Sequence, residues 1–310
     1  MIDYTTNELI EDIKQRASVP TSQSLFNEDR FVRFLSSKLR DNVVPLMLSV
    51  REDYFVTYVD LDVTNLTAET NKYSLPERAI GMKLKDVVLV DDRGNEEQLP
   101  RLTYQDKALP GHVDYQSLYG FYVEGNSIRL FVQDSFVGET LRMYYYRRPN
   151  ALVKTSNAGK ILTIDSGTGV VTLDNAPTTW TTATTFDLIC GKPPFDSKSD
   201  DTAITAIGGF DLTFATIPEG LAVGDWVCEA NESVIPQIPY EGFSLLVQLG
   251  VVKVLEALND TRGWQTAVED YKQMQMDVKT MLSPRVDEAT LKTVSRNGVW
   301  RNGGSNKWGR

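Results

Sequence analysis

The chain has one histidine, His112, two positions before Asp114. A histidine oriented by a carboxylate can act as a general base, because its pKa is close to neutral. No serine or cysteine in a nucleophile-elbow motif accompanies it. A loop histidine without a catalytic role is therefore the favoured interpretation, and we predict no catalytic residue and no enzymatic activity.

Two other patterns resemble ligand-binding motifs. Residues 166–169, Ser-Gly-Thr-Gly, look like a phosphate loop but lack the Gly-Lys-Ser/Thr ending and a following helical pattern, so a hairpin turn is predicted. Paired acids can coordinate calcium, but none of the pairs has the alternating spacing of an EF-hand loop. We interpret these pairs as solvated turns and expect no metal and no cofactor: Asp91-Asp92, Glu96-Glu97 and Asp200-Asp201.

The thiols and one arginine pair also have plainer interpretations. Cys190 and Cys228 are far apart and outside any CxxC motif, so we predict two reduced, buried thiols without a disulfide or zinc site. Arg147 and Arg148 follow three tyrosines, a combination that can stack on nucleic-acid bases. The acidic surroundings disfavour a polyanion, so the solvent-facing end of a strand is preferred.

The composition indicates a folded, acidic protein. Its 310 residues are 41% hydrophobic, and its net charge of −10 argues against a body that wraps nucleic acid. The N-terminus has acids where a signal peptide would be basic, and the most apolar stretch, 243–258, is too short and too polar to cross a bilayer. We expect a soluble protein, made in the cytoplasm, without a membrane partner.

Helical signals begin at the N-terminus. Thr5 lies three residues before Glu8, which is the capping-box spacing, and predicts a helix that ends before Pro20. A second start at Asn27 precedes apolar residues at helical spacing, so a helix is predicted over roughly residues 28–51. Pro45 lies inside this helix and removes a backbone donor, which predicts a kink or break.

The apolar period then changes from helical to alternating. Strands are predicted from Phe55 to Val63, Met82 to Val90 and Thr140 to Arg148, with a hairpin over residues 121–132. From residue 151 to about 236 the chain is rich in Thr, Gly and Asp and has short apolar runs separated by turns. This pattern predicts a second β module, a small sandwich or barrel, inserted before the helices resume.

The segment Tyr240–Leu282 predicts a helical hairpin. One helix has an apolar face that includes Phe243, Leu246 and Leu249, and the next repeats apolar residues such as Tyr271 and Met274 at helical intervals. Neither helix can bury its apolar stripe alone, so the N-terminal helices are the expected partner. Because helical segments lie at both ends of the chain with β structure between them, we predict one discontinuous helical domain that carries β insertions.

The predicted fold is therefore α+β: a discontinuous helical domain, made of the N-terminal helices and the C-terminal helical hairpin, with inserted antiparallel β modules and an extended C-terminal arm. Its parts are the N-terminal share of the helical domain (1–52), a β region (53–150), the inserted sandwich or barrel module (151–236), the completing helical hairpin (237–286) and the arm (287–310).

The C-terminal arm has an unusual composition. Residues 289–310 contain five basic residues and no acid, together with Trp300 and Trp308. A frayed basic terminus is common, but two tryptophans among arginines are typical of binding hot spots. We therefore predict an arm that docks on a partner with an acidic receiving surface.

The order of these parts resembles the head-to-tail connector, or adaptor, proteins of tailed bacteriophages that lie directly below the portal, and it is most similar to those of short-tailed phages. The similarity covers the two helical ends and the first β region, whereas residues 151–235 resemble no known module. It rests on Asn27–Val50, Arg51–Phe55, Tyr73–Ala79, Leu141–Pro149 and Arg296–Arg301.

This resemblance implies a structural virion protein at the head–tail junction. Its copies would form a ring, typically a dodecamer matching the portal, whose helices surround a channel for genomic DNA that is not bound specifically. The ring would stabilise the filled head and carry the tail or the next connector ring. The implied portal-docking residues are Lys292, Arg296, Trp300, Arg301, Lys307, Trp308 and Arg310, and the implied ring-forming helices carry Phe243, Leu246, Leu249, Tyr271 and Met274.

Two other functions are also compatible with the sequence. A glycan- or receptor-binding protein of a tail fibre or baseplate would use the Thr/Gly-rich module and exposed aromatics such as Trp180. A tail-associated hydrolase is a weaker hypothesis, because only scattered acids support it.

Overall fold

The computed structural model describes residues 4–19, 27–63, 71–103, 119–131 and 137–283, and within them the fold is α+β. The helices are α1 (Thr6–Arg16), α2 (Glu28–Lys38), α3 (Val44–Val50), α4 (Phe243–Ala257) and α5 (Thr261–Leu282). The predicted C-terminal arm lies outside the described residues, as does His112.

Helix α1 begins with the predicted capping box. The Thr5 side chain accepts the Glu8 amide, and the Glu8 carboxylate accepts the Thr5 amide at 3.0 Å, so two free donors of the helix start are satisfied. The next residue, Thr6, donates its backbone N–H and its hydroxyl to the Val234 carbonyl at 2.7 and 2.9 Å. The start of the chain is thereby attached to the segment that follows the second β module.

The predicted break near Pro45 is confirmed. Helix α2 passes into a π-helical turn, Leu39–Val43, before α3 begins at Val44. Pro45 is the second residue of α3, directly after this turn, and because it has no N–H it donates no hydrogen bond back into the turn. The chain can bend here and keep Leu39 and Val43 buried on one face.

Helices from the two ends of the chain share one hydrophobic core. It includes Leu9 and Ile13 of α1, Leu35 of α2, Leu246 of α4 and Val278 of α5. The closest approach is at Gly250 of α4, where a Cβ atom would lie 2.3 Å from Cδ1 of the fully buried Ile13. Only glycine lets α1 and α4 pack at this distance.

The first β region consists of two antiparallel sheets. One has the strand order β1-β7-β3-β4 and the other β2-β6-β5. The strands are β1 (Val56–Asp62), β2 (Lys72–Ser74), β3 (Ala79–Val90), β4 (Glu96–Gln98), β5 (Gly120–Glu124), β6 (Ser127–Phe131) and β7 (Thr140–Arg147). Strand β3 begins earlier than the predicted Met82, because Gly81 and Met82 have positive φ and form an irregularity that the alternating pattern does not reveal.

A core of aliphatic side chains lies within this region. Along β7, Leu141, Met143 and Tyr145 are buried. Leu141 and Met143 pack with Ile128 and Leu130 of β6 in the same cluster. The intervening Arg142 and Tyr144 lie on the other face of the sheet, as strand alternation requires.

The second β module is a closed barrel of six strands in the order β10-β13-β12-β11-β14-β9. Its strands are β9 (Gly159–Asp165), β10 (Val170–Leu173), β11 (Thr185–Ile189), β12 (Ser197–Gly208), β13 (Asp211–Phe214) and β14 (Trp226–Glu229). The prediction left a sandwich and a barrel open, and closure of the sheet decides for the barrel. The sequence-based prediction did not identify β11 and β14, because their residues are buried almost continuously and do not alternate between buried and exposed.

The chain enters and leaves the barrel at one place. Strand β8 (Ala151–Leu152) precedes the barrel and β15 (Glu232–Ser233) follows it, and the two pair in parallel. The Ala151 amide donates to the Asn231 carbonyl at 2.9 Å, and the Val153 amide donates to the Ser233 carbonyl at 3.0 Å. Entry and exit are therefore adjacent, beside the helical core.

The contact at Gly250 predicts a specific stability effect. We expect Gly250→Val to lower the free energy of unfolding by about 2–3 kcal/mol, because the added carbons overlap Ile13. Ile13→Ala in the same chain should reduce this penalty. Ala257→Val, at an exposed position of α4, is the control and should change stability by no more than about 0.5 kcal/mol. Denaturant unfolding measures all four proteins, and equal effects of the two valines would contradict the close packing.

Candidate functional site

The five residues predicted on ring-forming helices lie at or against the core of the chain itself. Phe243, Leu246 and Leu249 are buried, and Tyr271 and Met274 are partly buried against the same cluster. Three of these side chains therefore contact the molecule's own interior. Any contact that this hairpin makes with a neighbouring copy must use other side chains.

A buried ion network joins the first β region to the barrel. Arg78, just before β3, places Nη1 2.5 Å from Oδ2 and Nη2 2.8 Å from Oδ1 of Asp187 in β11. Asp187 has no solvent-exposed surface. Nη2 of Arg78 also donates to Oδ1 of Asp201 at 2.7 Å. One guanidinium thus holds two strands of the barrel against the sheet.

A second arginine extends the network. Arg147, the last residue of β7, donates to both Asp200 oxygens at 3.1 and 2.7 Å and to Oε1 of Gln237 at 3.0 Å. Asn150 links the two arginine sites, since its Nδ2 donates to Asp187 at 2.6 Å and its backbone N–H donates to Gln237 at 2.8 Å. We name this set, with Arg78, Asp187 and Asp201, the junction network.

The junction network corrects two sequence predictions. Arg147 is not at a solvent-facing strand end, because its guanidinium is engaged with Asp200, whereas Arg148 is exposed. Asp200 and Asp201 are not in a solvated turn, because both belong to β12 and pair with arginines. These partners are far apart in sequence, so local spacing carried no signal. The single hint was Asp187, a charge inside the apolar run Thr185–Ile189.

The carboxyl of Asp200 shows how the arginines act. Burial alone would raise its pKa, but the hydrogen bonds and charge of Arg147, with smaller contributions from Ser197 and Arg78, lower the pKa below its ordinary value. The folded state therefore favours the ionised carboxylate of Asp200. Because every carboxylate of the network is already paired, the arrangement suits a structural joint and not a catalytic centre.

The other candidates are also structural. In the β9–β10 hairpin, the Asp165 carboxylate accepts the Gly167 amide at 2.9 Å and the Thr168 hydroxyl at 2.7 Å, which confirms the predicted turn. Burial raises the pKa of both thiols, and both cysteines are free. Cys228 is buried as predicted, whereas Cys190 is only partly buried. A raised pKa leaves little thiolate, so these thiols are poor nucleophiles at neutral pH.

The structure corrects the predictions for Trp180 and for Glu96-Glu97 and confirms the predicted turn at Asp91-Asp92. Trp180 is 4% exposed and packs edge-to-face on Phe186, with ring centroids 4.8 Å apart, so it belongs to the barrel core and is not an exposed aromatic. Closure of the barrel places the Trp180 ring in its interior. Asp91 and Asp92 do lie in a turn, held by the Asp91 carboxylate, but Glu96 and Glu97 belong to β4.

The two ends of the β1-β7-β3-β4 sheet differ in charge. At one end, which we name the acidic end, lie four acids, Asp91, Asp92, Glu97 and Glu139, together with one exposed base, Arg93. Partial burial raises the pKa of Glu139, and the charges of Asp91, Glu97 and Asp92 raise it further. Val137, beside them, is 43% exposed.

At the opposite end is a groove of about 1090 Å³ between helices α2 and α3, the start of β3 and the segment after β7. We name it the basic groove. Arg33, Arg40 and Arg148 line it and are exposed, and its floor is apolar, with Val44, Leu48, Ile80 and Leu152. Two acids, Glu77 and Glu232, also line the groove, and burial, followed by the charge of Glu229, raises the pKa of Glu232.

No group of three or more histidine, cysteine or acidic side chains in the described ranges is arranged to hold a metal ion. Within the same ranges, every helix is too short or too polar to cross a bilayer. No protein-family model matches the sequence, and no curated protein matches it significantly.

Loss of the central arginine should be costly. We expect Arg78→Met to lower the free energy of unfolding by about 3–5 kcal/mol, because it leaves the Asp187 carboxylate buried without its cation. Arg142→Met is the control: Arg142 pairs with Asp60 and Glu96 on the outer sheet face, where such pairs contribute about 0–1 kcal/mol. Adding Asp187→Leu to Arg78→Met should recover part of the loss, and equal losses for the two arginine variants would contradict the joint.

The lowered pKa of Asp200 predicts a pH dependence. When a carboxyl has a lower pKa in the folded state, its stabilisation is present above the ordinary value of 3.8 and is lost as the pH falls through the folded pKa. We expect the unfolding free energy of the native chain to decrease with acidification in this range. The decrease should be smaller for Asp200→Asn, and parallel curves would show that Asp200 does not contribute.

Proposed function

We propose that this chain is a structural subunit of the head-to-tail adaptor of a tailed bacteriophage. Its copies would form a ring beneath the portal, stabilise the DNA-filled head and carry the tail or the next connector ring. The observation that carries the proposal is the shared core of α1, α2, α4 and α5. In this arrangement the first and the last described helices, α1 and α5, belong to the same core.

The proposed architecture is a discontinuous helical domain with two inserted β units. Support comes from the continuity of the core across α1 and α4, and from the adjacent entry and exit strands of the barrel. A ring built on the helical domain would present the β units towards the tail or the outside. The arm would then reach the portal from the end of α5.

The charge of the molecule suits a DNA channel. A net charge of −10 forgoes the counterion release that holds DNA on basic proteins. DNA could therefore pass through a ring of such subunits without being retained. The arginines of the junction network do not offset this, because Asp187, Asp200 and Asp201 already neutralise them.

The polar groups of the described residues favour assembly over catalysis. The thiols are protonated at neutral pH, and the acids of the network are paired with arginines. The glycan-binding hypothesis loses the residue that motivated it, since the Trp180 ring is inside the barrel. A role as a structural subunit of a virion needs only stable surfaces, which this fold supplies.

Removal of the C-terminal arm tests the proposal. We expect a chain ending at residue 286 to fold with an unchanged melting temperature and to fail to join portal particles, because the basic and tryptophan side chains that would dock are gone. Co-sedimentation with purified portal rings measures the binding.

Two full-length variants sharpen this test. Trp300→Ala with Trp308→Ala should weaken portal binding strongly, whereas Arg296→Lys with Arg301→Lys keeps the charge and should weaken it less. Normal incorporation of the truncated chain would contradict the docking role of the arm, and location of the protein at the distal tail in particle images would contradict the adaptor proposal.

A further inference from the structure

One sheet connects the acidic end to the basic groove. Strand β3 begins at Ala79, beside the groove-lining Ile80, and ends at Val90, one residue before Asp91. Strand β7 runs the opposite way, from Thr140 beside Glu139 to Arg147 beside Arg148. The seven steps of β7 from Thr140 to Arg147, at about 3.3 Å each, place the two ends about 23 Å apart. The molecule therefore presents opposite charges at the two ends of one rigid element.

Acids outnumber the one basic residue, Arg93, that lines the hollow at the acidic end. Neither Asp92 nor Glu139 forms an ion pair with another residue in the described part of the molecule. Burial raises the pKa of Glu139, and the neighbouring charges of Asp91, Glu97 and Asp92 raise it further. A cationic surface placed against this end would relieve the repulsion.

The basic groove has matching properties. Arg33 and Arg148 are exposed, and no carboxylate of the described residues is within ion-pair distance of either one. The apolar floor, which includes Leu48 and Ile80, can receive an apolar side chain. The acidic end offers one, since Val137 is exposed next to Glu139.

We propose that the acidic end of one copy docks in the basic groove of the next copy. The contact joins two different surfaces of the same chain, so it is heterologous and adds subunits head to tail. Such a contact closes into a ring when the rotation between subunits allows it. The inference rests on the proposed ring and names the surfaces that build it.

The properties of the acidic end favour a second copy of this chain as the occupant of the groove. A peptide from an unrelated partner would need carboxylates beside an exposed apolar residue. The acidic end of this chain already presents that combination. The rigid sheet also fixes the distance between the two surfaces, so each docked copy presents a new acidic end in a defined direction. The helical residues Phe243, Leu246 and Leu249 do not compete for this role, because they are buried inside the chain.

Paired charge reversals test the contact. The end variant carries Asp92→Lys and Glu139→Lys, and the groove variant carries Arg33→Glu and Arg148→Glu. We expect the native full-length chain to self-associate in sedimentation velocity at low salt and to dissociate at high salt. Each variant alone should associate about tenfold more weakly or worse, because like charges then meet at the contact.

Mixing the two variants gives the decisive result. The lysines of the end variant match the glutamates of the groove variant, and the two remaining native surfaces also match, so equal amounts should co-assemble with strict alternation. Native mass spectrometry, with the variants distinguished by mass, would detect even-numbered assemblies of equal composition. A single chain with all four changes should also self-associate.

The control reverses two exposed acids of the barrel, Asp211→Lys and Glu219→Lys, and should leave association unchanged. Native-like association of either single variant, failure of the mixture to assemble, or a native chain that stays monomeric would each overturn the inference. If the native chain and both variants still form rings on portal particles, the end-to-groove contact is wrong while the adaptor proposal stands. Loss of portal binding without loss of self-association would contradict the adaptor proposal and leave the end-to-groove contact standing.

Discussion

The fold depends on a carboxylate with no access to water. Moving the Asp187 side chain from solvent into the protein costs several kcal/mol, and its ionised form is tolerated only because a guanidinium and several N–H groups surround it. Besides Arg78, the donors are the Asn150 side chain and the backbone amides of Asn231 and Asp201. These residues come from separate segments of the chain, so they can meet only when the sheet and the barrel hold one orientation.

This dependence explains which features local sequence patterns predict. The capping box at Thr5, the bend near Pro45 and the 121–132 hairpin depend on residues a few positions apart, and all three are present. The helical periods around Phe243 and Tyr271 were equally informative. In each case the interaction that decides the structure lies within the segment that carries the signal.

Features decided by distant partners were missed. The link from Arg78 to Asp187 spans more than 100 positions, and neither residue has a neighbour in sequence that announces it. Trp180 was predicted to be an exposed aromatic of the Thr/Gly-rich module, and closure of the barrel buries it. The strands β11 and β14 resemble short apolar runs of any kind. The predicted docking residues of the arm, from Lys292 to Arg310, lie outside the described residues.

The parallel pairing of β8 with β15 has a consequence for how the protein can change. Because Ala151 and Glu232 are direct neighbours, the whole barrel is a cassette whose two ends meet at a single point on the framework. Insertions and deletions in barrel loops away from the junction network and from core residues such as Ile189 and Phe195 leave the framework's termini and spacing unchanged. Related chains can therefore vary in these loops and still build the same scaffold, and a foreign domain with adjacent termini could replace the barrel only if it supplied new partners for Arg78 and Arg147.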